Sequence, residues 1–320
     1  MTTKNTISFE TRDEFKGFDA HYDKDILPFL QEKETERIAR VSKAKRNGIL
    51  TAVIISALAF ILSFKTGNFI IFVIAAGFGA LLGWGIAYAM LNKLKGETKQ
   101  HLMGSICGFL GWEFAAKDFI KPDLTLWRDN HLLPGWDRVN FEDRMSGKHH
   151  DHAFTFCEAH LEKRSTDSEG KTTWNTVFRG ILLDVDFRRD FLGRTVVLRD
   201  AGIFNSKKKA GMKKVGLVDP KFEKIFEAYG TDQVEARYLL TPTFMQKLVD
   251  LETSVSGKKA RFGFLNGKLH VAVEAPNQFE AGSMFKPLIE TARTEKIMKE
   301  ISAVMDVLSG VNDADSRSRR

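Results

Sequence analysis

The residues best suited to chemistry are His149, His150, Asp151 and His152, with Cys157 and His160 a few positions on. Imidazole and thiolate are zinc-type ligands, yet their spacing opposes a shared site. In a strand, His150, His152 and His160 occupy one face while Cys157 points to the other. At about 3.3 Å per residue, His152 and His160 stand roughly 26 Å apart. Two histidines are the most that one ion could gather, so no metal site and no cofactor are expected. Asp184 and Asp186 share a strand face, where they could hold a cation or simply face water at the end of a strand. A second cluster is cationic: Lys207, Lys208, Lys209, Lys213 and Lys214 place five charges within eight residues. It reads as a solvated loop or as a contact for anionic lipid, to which a basic side chain contributes on the order of 1 kcal/mol. Nucleic acid is not expected as a partner, because the loop lacks interleaved aromatic residues on which bases stack. No serine elbow, phosphate loop or Cys and His pair occurs as a local motif.

These groups sit on a chain of 320 residues, 43% apolar and 28% charged, with a net charge of +7. Such values belong to a chain that builds a core and exclude wholesale disorder, collagen and a small disulfide scaffold. The charge is unevenly spread, since Lys65 is the one charged residue between positions 48 and 91. Uncharged stretches at 48–64 and 69–91 give about 26 and 34 Å of helix, and each can cross a bilayer core of about 30 Å. A signal peptide does not fit, because a largely hydrophilic segment of 47 residues precedes the first stretch and a second follows within four. Lys65-Thr66-Gly67-Asn68 then makes the turn of a transmembrane helical hairpin. Arg37, Arg40, Lys43, Lys45 and Arg46 stand before the first span, and Lys93, Lys95 and Lys99 after the second. The positive-inside rule therefore predicts that both termini are cytoplasmic. Two cysteines, Cys107 and Cys157, fit a reducing compartment in which neither is paired. Ala75, Gly79, Gly83 and Ala87 recur every four residues and form a smooth stripe for close helix packing, either within the hairpin or between two copies of the chain.

On either side the pattern changes. Residues 1–47 read as an amphipathic helical arm through Phe18, Tyr22, Ile26, Phe29 or Leu30, Ile38 and Val41, which Pro28 should break or kink. Its apolar stripe needs a partner, either the headgroup boundary or another helix. Residues 92–111 continue as a membrane-proximal helix. Residues 112–286 read as an α+β domain on an antiparallel sheet, or a partly closed barrel, with strands at 123–127, 139–144, 153–163, 174–187, 194–199, 261–265 and 268–274. Asn266-Gly267 between the last two marks a type I′ hairpin. Asp219-Pro220 and Thr241-Pro242 each start a helix, the first closing at Gly230. Residues 287–308 form a final amphipathic helix, and 309–320 read as a disordered tail.

The order of these features, with Phe178-Arg179-Gly180, Asp186-Phe187, Phe191-Leu192-Gly193 and the run from Tyr229-Gly230-Thr231-Asp232 through Arg237 to Thr241-Pro242, resembles a family of bacterial two-span inner-membrane proteins recorded only as a domain of unknown function. The resemblance spans most of residues 12–308. It implies a bacterial inner-membrane protein and brings no catalytic residues with it. The 232–242 block reads as helix punctuation, with Asp232, Glu235 and Arg237 placed to pair or cap and Thr241 capping the next helix, or else as a ligand site. The function expected is a membrane-anchored cytoplasmic binding or scaffolding module that recruits a protein partner, a second copy or anionic lipid. The alternative is a membrane-associated enzyme acting on a lipid or envelope precursor through a site that no local motif shows. A pore is disfavoured, because neither span carries an ionisable residue.

Overall fold

The computed structural model describes residues 8–199, 211–217, 219–280 and 282–317. The chain divides into two compact units, Met1–Ile106 with Glu280–Glu295, and Cys107–Phe279 with Lys296–Arg320.

The first unit is helical. A 3-10 turn, Asp13–Phe15, leads into α1 (Phe18–His21), a π-turn (Tyr22–Ile26) and α2 (Leu27–Thr66); after a turn, α3 runs over Phe69–Phe109 and into the second unit. Pro28 falls in the first turn of α2, but helical turns precede it without a break, so its missing amide leaves one carbonyl of the turn before it without a helical partner. The wider π-turn just before it, in which the Leu27 amide reaches back to Tyr22 O, relieves the crowding a proline imposes on the preceding turn. The helical run therefore passes through Pro28. The arm's stripe is largely buried: Phe15, Phe18, Tyr22, Ile26 and Leu30 are covered, while Ile38 is exposed. Phe29 stacks on His101 of α3 at 3.6 Å, and His21 Nε2 meets Ser105 Oγ at 2.9 Å, so a helix is the partner of this stretch.

The second unit is α+β. Its nine strands are β1 (Glu113–Ala115), β2 (Arg138–His149), β3 (His152–Thr166), β4 (Thr172–Asp186), β5 (Thr195–Arg199), β6 (Lys213–Val215), β7 (Phe226–Gly230), β8 (Lys258–Leu265) and β9 (Lys268–Glu274). They form one sheet in the order β1-β2-β3-β4-β9-β8-β5-β7-β6, and every pairing is antiparallel. The order is linear, with β1 and β6 at its ends, so the sheet is open among the described residues. One face packs on Trp127, Leu132 and Leu133 around α4 (Thr125–Asp129). A helix and a loop cover the other face: Phe244 of α7 (Pro242–Ser254) meets Phe264 of β8 at 5.9 Å, and Phe279 of the segment after β9 meets Phe156 of β3 at 5.2 Å. The remaining helices are α5 (Pro220–Glu223), α6 (Gln233–Leu239) and α8 (Thr291–Arg317).

Four expectations are corrected. Residues 125–129 form α4 and not a strand, because Asp123 Oδ1 accepts from the Thr125 amide at 2.9 Å and turns the chain. The helix begun at Pro220 stops at Glu223, and Phe226–Gly230 is the buried strand β7, held between β5 and β6. Lys213 and Lys214 stand on strand β6, not in a loop. The final helix continues through Arg317 because its apolar stripe does, with Val311 and Ala314 buried.

Candidate membrane-anchoring site

Gly67 ends α2 in the left-handed region at φ 67, and Asn68 Oδ1 accepts from the Ile70 amide at 3.0 Å. The two long helices thus turn back on each other within two residues. Both are long and apolar enough to cross a membrane. Where they meet, small residues face each other: a Cβ on Gly83 would stand 2.4 Å from Gly48 O, and one on Gly79 3.0 Å from the Ile55 side chain. Gly79, Gly83 and Ala87 are buried and Ala75 is half-buried, so in this hairpin the stripe lies against α2.

The outward surface is the opposite case. Among the described residues, nineteen large apolar side chains between Ile49 and Tyr88 are exposed, with Leu81 at 73% and Phe64 at 83%. Fully burying such a side chain is worth about 1.5–3 kcal/mol, and these are on average about three-fifths exposed, so the hairpin leaves roughly 15–35 kcal/mol of transfer free energy unrealised in water. Hydrocarbon recovers it, and the backbone is already satisfied within each helix. Charge begins abruptly at the ends. Lys43, Lys45 and Arg46 are exposed, and among the described residues they form no ion pair. Across the two helices Lys33 Nζ bonds Glu36 at 2.9 Å and Glu97 at 3.2 Å.

Within the same unit, residues 280–295 return to the helices. Lys95 and Lys99 both bond Glu280, Lys99 at 2.6 Å. Burial pushes the Glu280 carboxyl up, but these two hydrogen bonds outweigh it and the net shift is down. Glu34 is also held low, chiefly by its hydrogen bonds from Arg37, while Arg37 Nη1 donates to Met284 O at 3.0 Å.

The other residues singled out from sequence are engaged elsewhere. Lys207, Lys208 and Lys209 lie outside the described residues. Lys213 is exposed on edge strand β6, and Lys214 Nζ bonds Glu227 at 2.8 Å. Lysines on an edge strand also discourage strand addition. His150 and Asp151, at φ 47 and 67, are the two-residue turn between β2 and β3, with positive φ that His and Asp tolerate better than most. His149 Nε2 meets Ser309 Oγ at 3.1 Å, His152 Nδ1 donates to Asp186 O at 2.7 Å, and His160 meets Thr176 Oγ1 at 2.8 Å. Among the described residues no three His, Cys, Asp or Glu side chains are placed to hold a metal ion. Both thiols are buried, and that burial pushes each up to about 12.

Three side-chain pairs could not be read locally. Asp184 meets His270 Nδ1 at 2.5 Å, and Asp186 meets Lys268 at 2.8 Å; each pair lies directly across from β4 to β9. His270 is sealed beside Trp127, whose ring packs edge-on at 5.1 Å. Glu235, whose side chain is 3% exposed, bonds Arg189 at 3.1 Å and accepts from the Gly193 amide at 2.9 Å. The rest of the 232–242 block is punctuation: Asp232 Oδ1 caps α6 through the Val234 and Glu235 amides at 2.9 and 2.8 Å, and Thr241 Oγ1 caps α7 through Phe244 at 3.3 Å. Gly180, in the Phe178-Arg179-Gly180 run, is fixed by packing, since a Cβ there would stand 1.9 Å from Val273 O. The signals for these contacts were the block and the glycine; their partners were not local.

A comparison with curated proteins gives no match. Among solved structures, the crystal structure of the mycobacterial trehalose monomycolate transport factor A is similar at 8% identity and a TM-score of 0.35, covering 66% of this chain and 95% of that one. Residues 176–312, which hold the glycine run, the capping block and most of the final helix, match the family model described as "Protein of unknown function (DUF3137)", as the resemblance in the 229–242 run implies.

Proposed function

We propose that this chain is a two-span protein of a bacterial inner membrane, with both termini cytoplasmic, that holds its α+β domain at the membrane as a binding or scaffolding module. The observation that carries this reading is the hairpin whose large apolar side chains face outward and whose ends are ringed by cations. Orientation follows from the basic residues that flank both outer ends against the single Lys65 at the turn. The mechanism is local concentration: the hairpin confines the domain to a surface, where Lys207, Lys208, Lys209, Lys213 and Lys214 meet anionic headgroups. Binding is favoured over catalysis because the carboxylate of the cleft beside β4 and β9 is taken up by neighbouring cations. An open cleft of about 460 Å³ beside β4 and β9 holds Arg179, Lys259 and Glu274. There Lys259 and Arg261 both bond Glu274, and Arg179 donates to Asn277.

The test is topological. A cysteine at Asn68 should react with a membrane-impermeant maleimide added to intact cells, whereas a cysteine at Leu192, 84% exposed, should react only after the cells are opened. The full chain should stay with the bilayer in alkaline carbonate. Release by carbonate, or labelling of Leu192→Cys from outside, overturns the reading.

A further inference from the structure

We infer that residues 283–290 form a third membrane contact, a non-helical segment that seats Phe285 in the lipid beside the second span and leaves Ile289 at the headgroup boundary, because the neighbouring Leu288 amide is held by Glu34, level with Glu97 of α3. The inference rests on the two-span reading and adds a contact that the spans alone do not require.

The segment is two-sided. Met284 and Leu288 point inward and are buried, whereas Phe285 and Ile289 point outward at 40% and 44% exposure. The outward side continues a surface already apolar. The Phe285 ring stacks on Trp84 of α3, centroids 5.7 Å apart and planes within 20°, and Trp84 and Tyr88 are themselves exposed. Depth follows from helix geometry. Trp84 lies fifteen residues beyond Phe69, or about 23 Å along α3, and Tyr88 about 29 Å, against a hydrocarbon core of about 30 Å. Phe285 thus sits at the level of a residue inside that core, near its edge, where tryptophan and tyrosine collect. A cleft of about 110 Å³ between Tyr88, Leu91 and Lys95 of α3 and Met284 and Phe285 opens at the same level.

Polar backbone at this depth must be satisfied by protein, and Arg293 does this. Its guanidinium donates to three carbonyls of the segment, Ser283 O at 2.6 Å, Lys286 O at 3.1 Å and Pro287 O at 3.1 Å. The Leu288 amide is taken by Glu34 at 2.8 Å, and Glu280 is neutralised by Lys95 and Lys99. Lys286, exposed between the two apolar residues, is long enough to reach the headgroups from there. Lipid is the occupant because the patch is continuous with the lipid-facing side of α3.

The experiment is spin labelling of the full chain in nanodiscs of phosphatidylethanolamine and phosphatidylglycerol, one chain per disc, with labels at Phe285→Cys, Ile289→Cys, Phe78→Cys and Leu192→Cys. The buried native thiols serve as the unlabelled background. Collisions with oxygen should exceed those with a water-soluble nickel chelate severalfold at positions 285 and 78, the two should be comparable at 289, and the reverse should hold at 192. Ile289→Cys leaves the Trp84 and Phe285 ring pair intact and covers the case in which Phe285→Cys disturbs the fold. Nickel preference at 285 and 289 with oxygen preference at 78 overturns the third contact and leaves the two spans standing. Nickel access at 78 overturns both. Labels at 285 and 289 shielded from both reagents mean that protein covers the patch, and that also overturns the inference.

Discussion

Replacing Glu235 with alanine should cost the sheet unit about 2–4 kcal/mol. The carboxylate is 3% exposed and serves two donors, the Arg189 guanidinium at 3.1 Å and the Gly193 amide at 2.9 Å. Removing one member of a buried ion pair costs about 3–5 kcal/mol, because the other charge stays desolvated. Arg189 is a quarter exposed, so water screens part of that cost and the lower range applies. Nor does Arg189 have a reserve among the described residues: its Nε and Nη2 are already buried without a partner, and only the Phe191 and Tyr238 rings, 5.6 and 6.0 Å away, remain beside it. The assay is urea unfolding of the full chain in mild detergent, followed by tryptophan fluorescence, since Trp112, Trp127, Trp136 and Trp174 all lie in the sheet unit. With a slope of about 2 kcal/mol/M, the midpoint should fall by roughly 1–2 M. Pairing Glu235→Leu with Arg189→Met should recover most of the loss, because no charge is then stranded. A midpoint shift under about 0.3 M for Glu235→Ala refutes the reasoning and returns the 232–242 block to consideration as a ligand site.

Other outcomes follow from the same contacts. Gly83→Val should lower the thermal midpoint of the detergent-solubilised hairpin in far-ultraviolet circular dichroism by the equivalent of about 1–3 kcal/mol, because a Cβ there meets Gly48 O at 2.4 Å; Gly85→Val, where nothing lies within 4 Å, should leave it unchanged. With thiol pKa values near 12, about one thiolate in 10⁴ exists at pH 8 against about one in four for a free cysteine. Native chain should therefore react with a chromogenic disulfide at least 10³-fold more slowly than denatured chain, which should release two equivalents. The carboxyls of Glu34 and Glu280 are shifted down, so their hold on residues 280–290 is complete above about pH 4.5 and is lost as the pH falls through their lowered values. A spin label at position 285 should gain mobility only in that acid range, and Glu280→Gln should shrink the change.

The hairpin was legible because its signal is local and long: two uncharged stretches, a short turn and basic flanks. Asn266-Gly267 was legible for a similar reason, as positive φ at both positions, 50 and 71 in the structure, is what that dipeptide supplies. The Asp232 and Thr241 caps act over two or three residues and were equally readable. Misreadings came where tertiary pairing overrode local pattern. Phe222, Ile225 and Phe226 have helical spacing behind a proline, yet Phe226–Gly230 pairs with β5 and β6 on both sides and is buried throughout. His149 to His152 look like ligands because ligand types are also turn types. The pairs of Asp184 with His270 and Glu235 with Arg189 join residues 86 and 46 positions apart, and nothing short of the strand order brings them together.

Because α3 is one uninterrupted helix from Phe69 to Phe109, its 92–109 stretch is a stiff lever about 26 Å long rooted in the segment assigned to hydrocarbon. Spans accommodate bilayer thickness by tilting, over a range of about 0–40°. A change of about 10° in that tilt swings the far end of the lever by roughly 5 Å. With that segment in a bilayer, a change in thickness would move the distal end of the helix sideways.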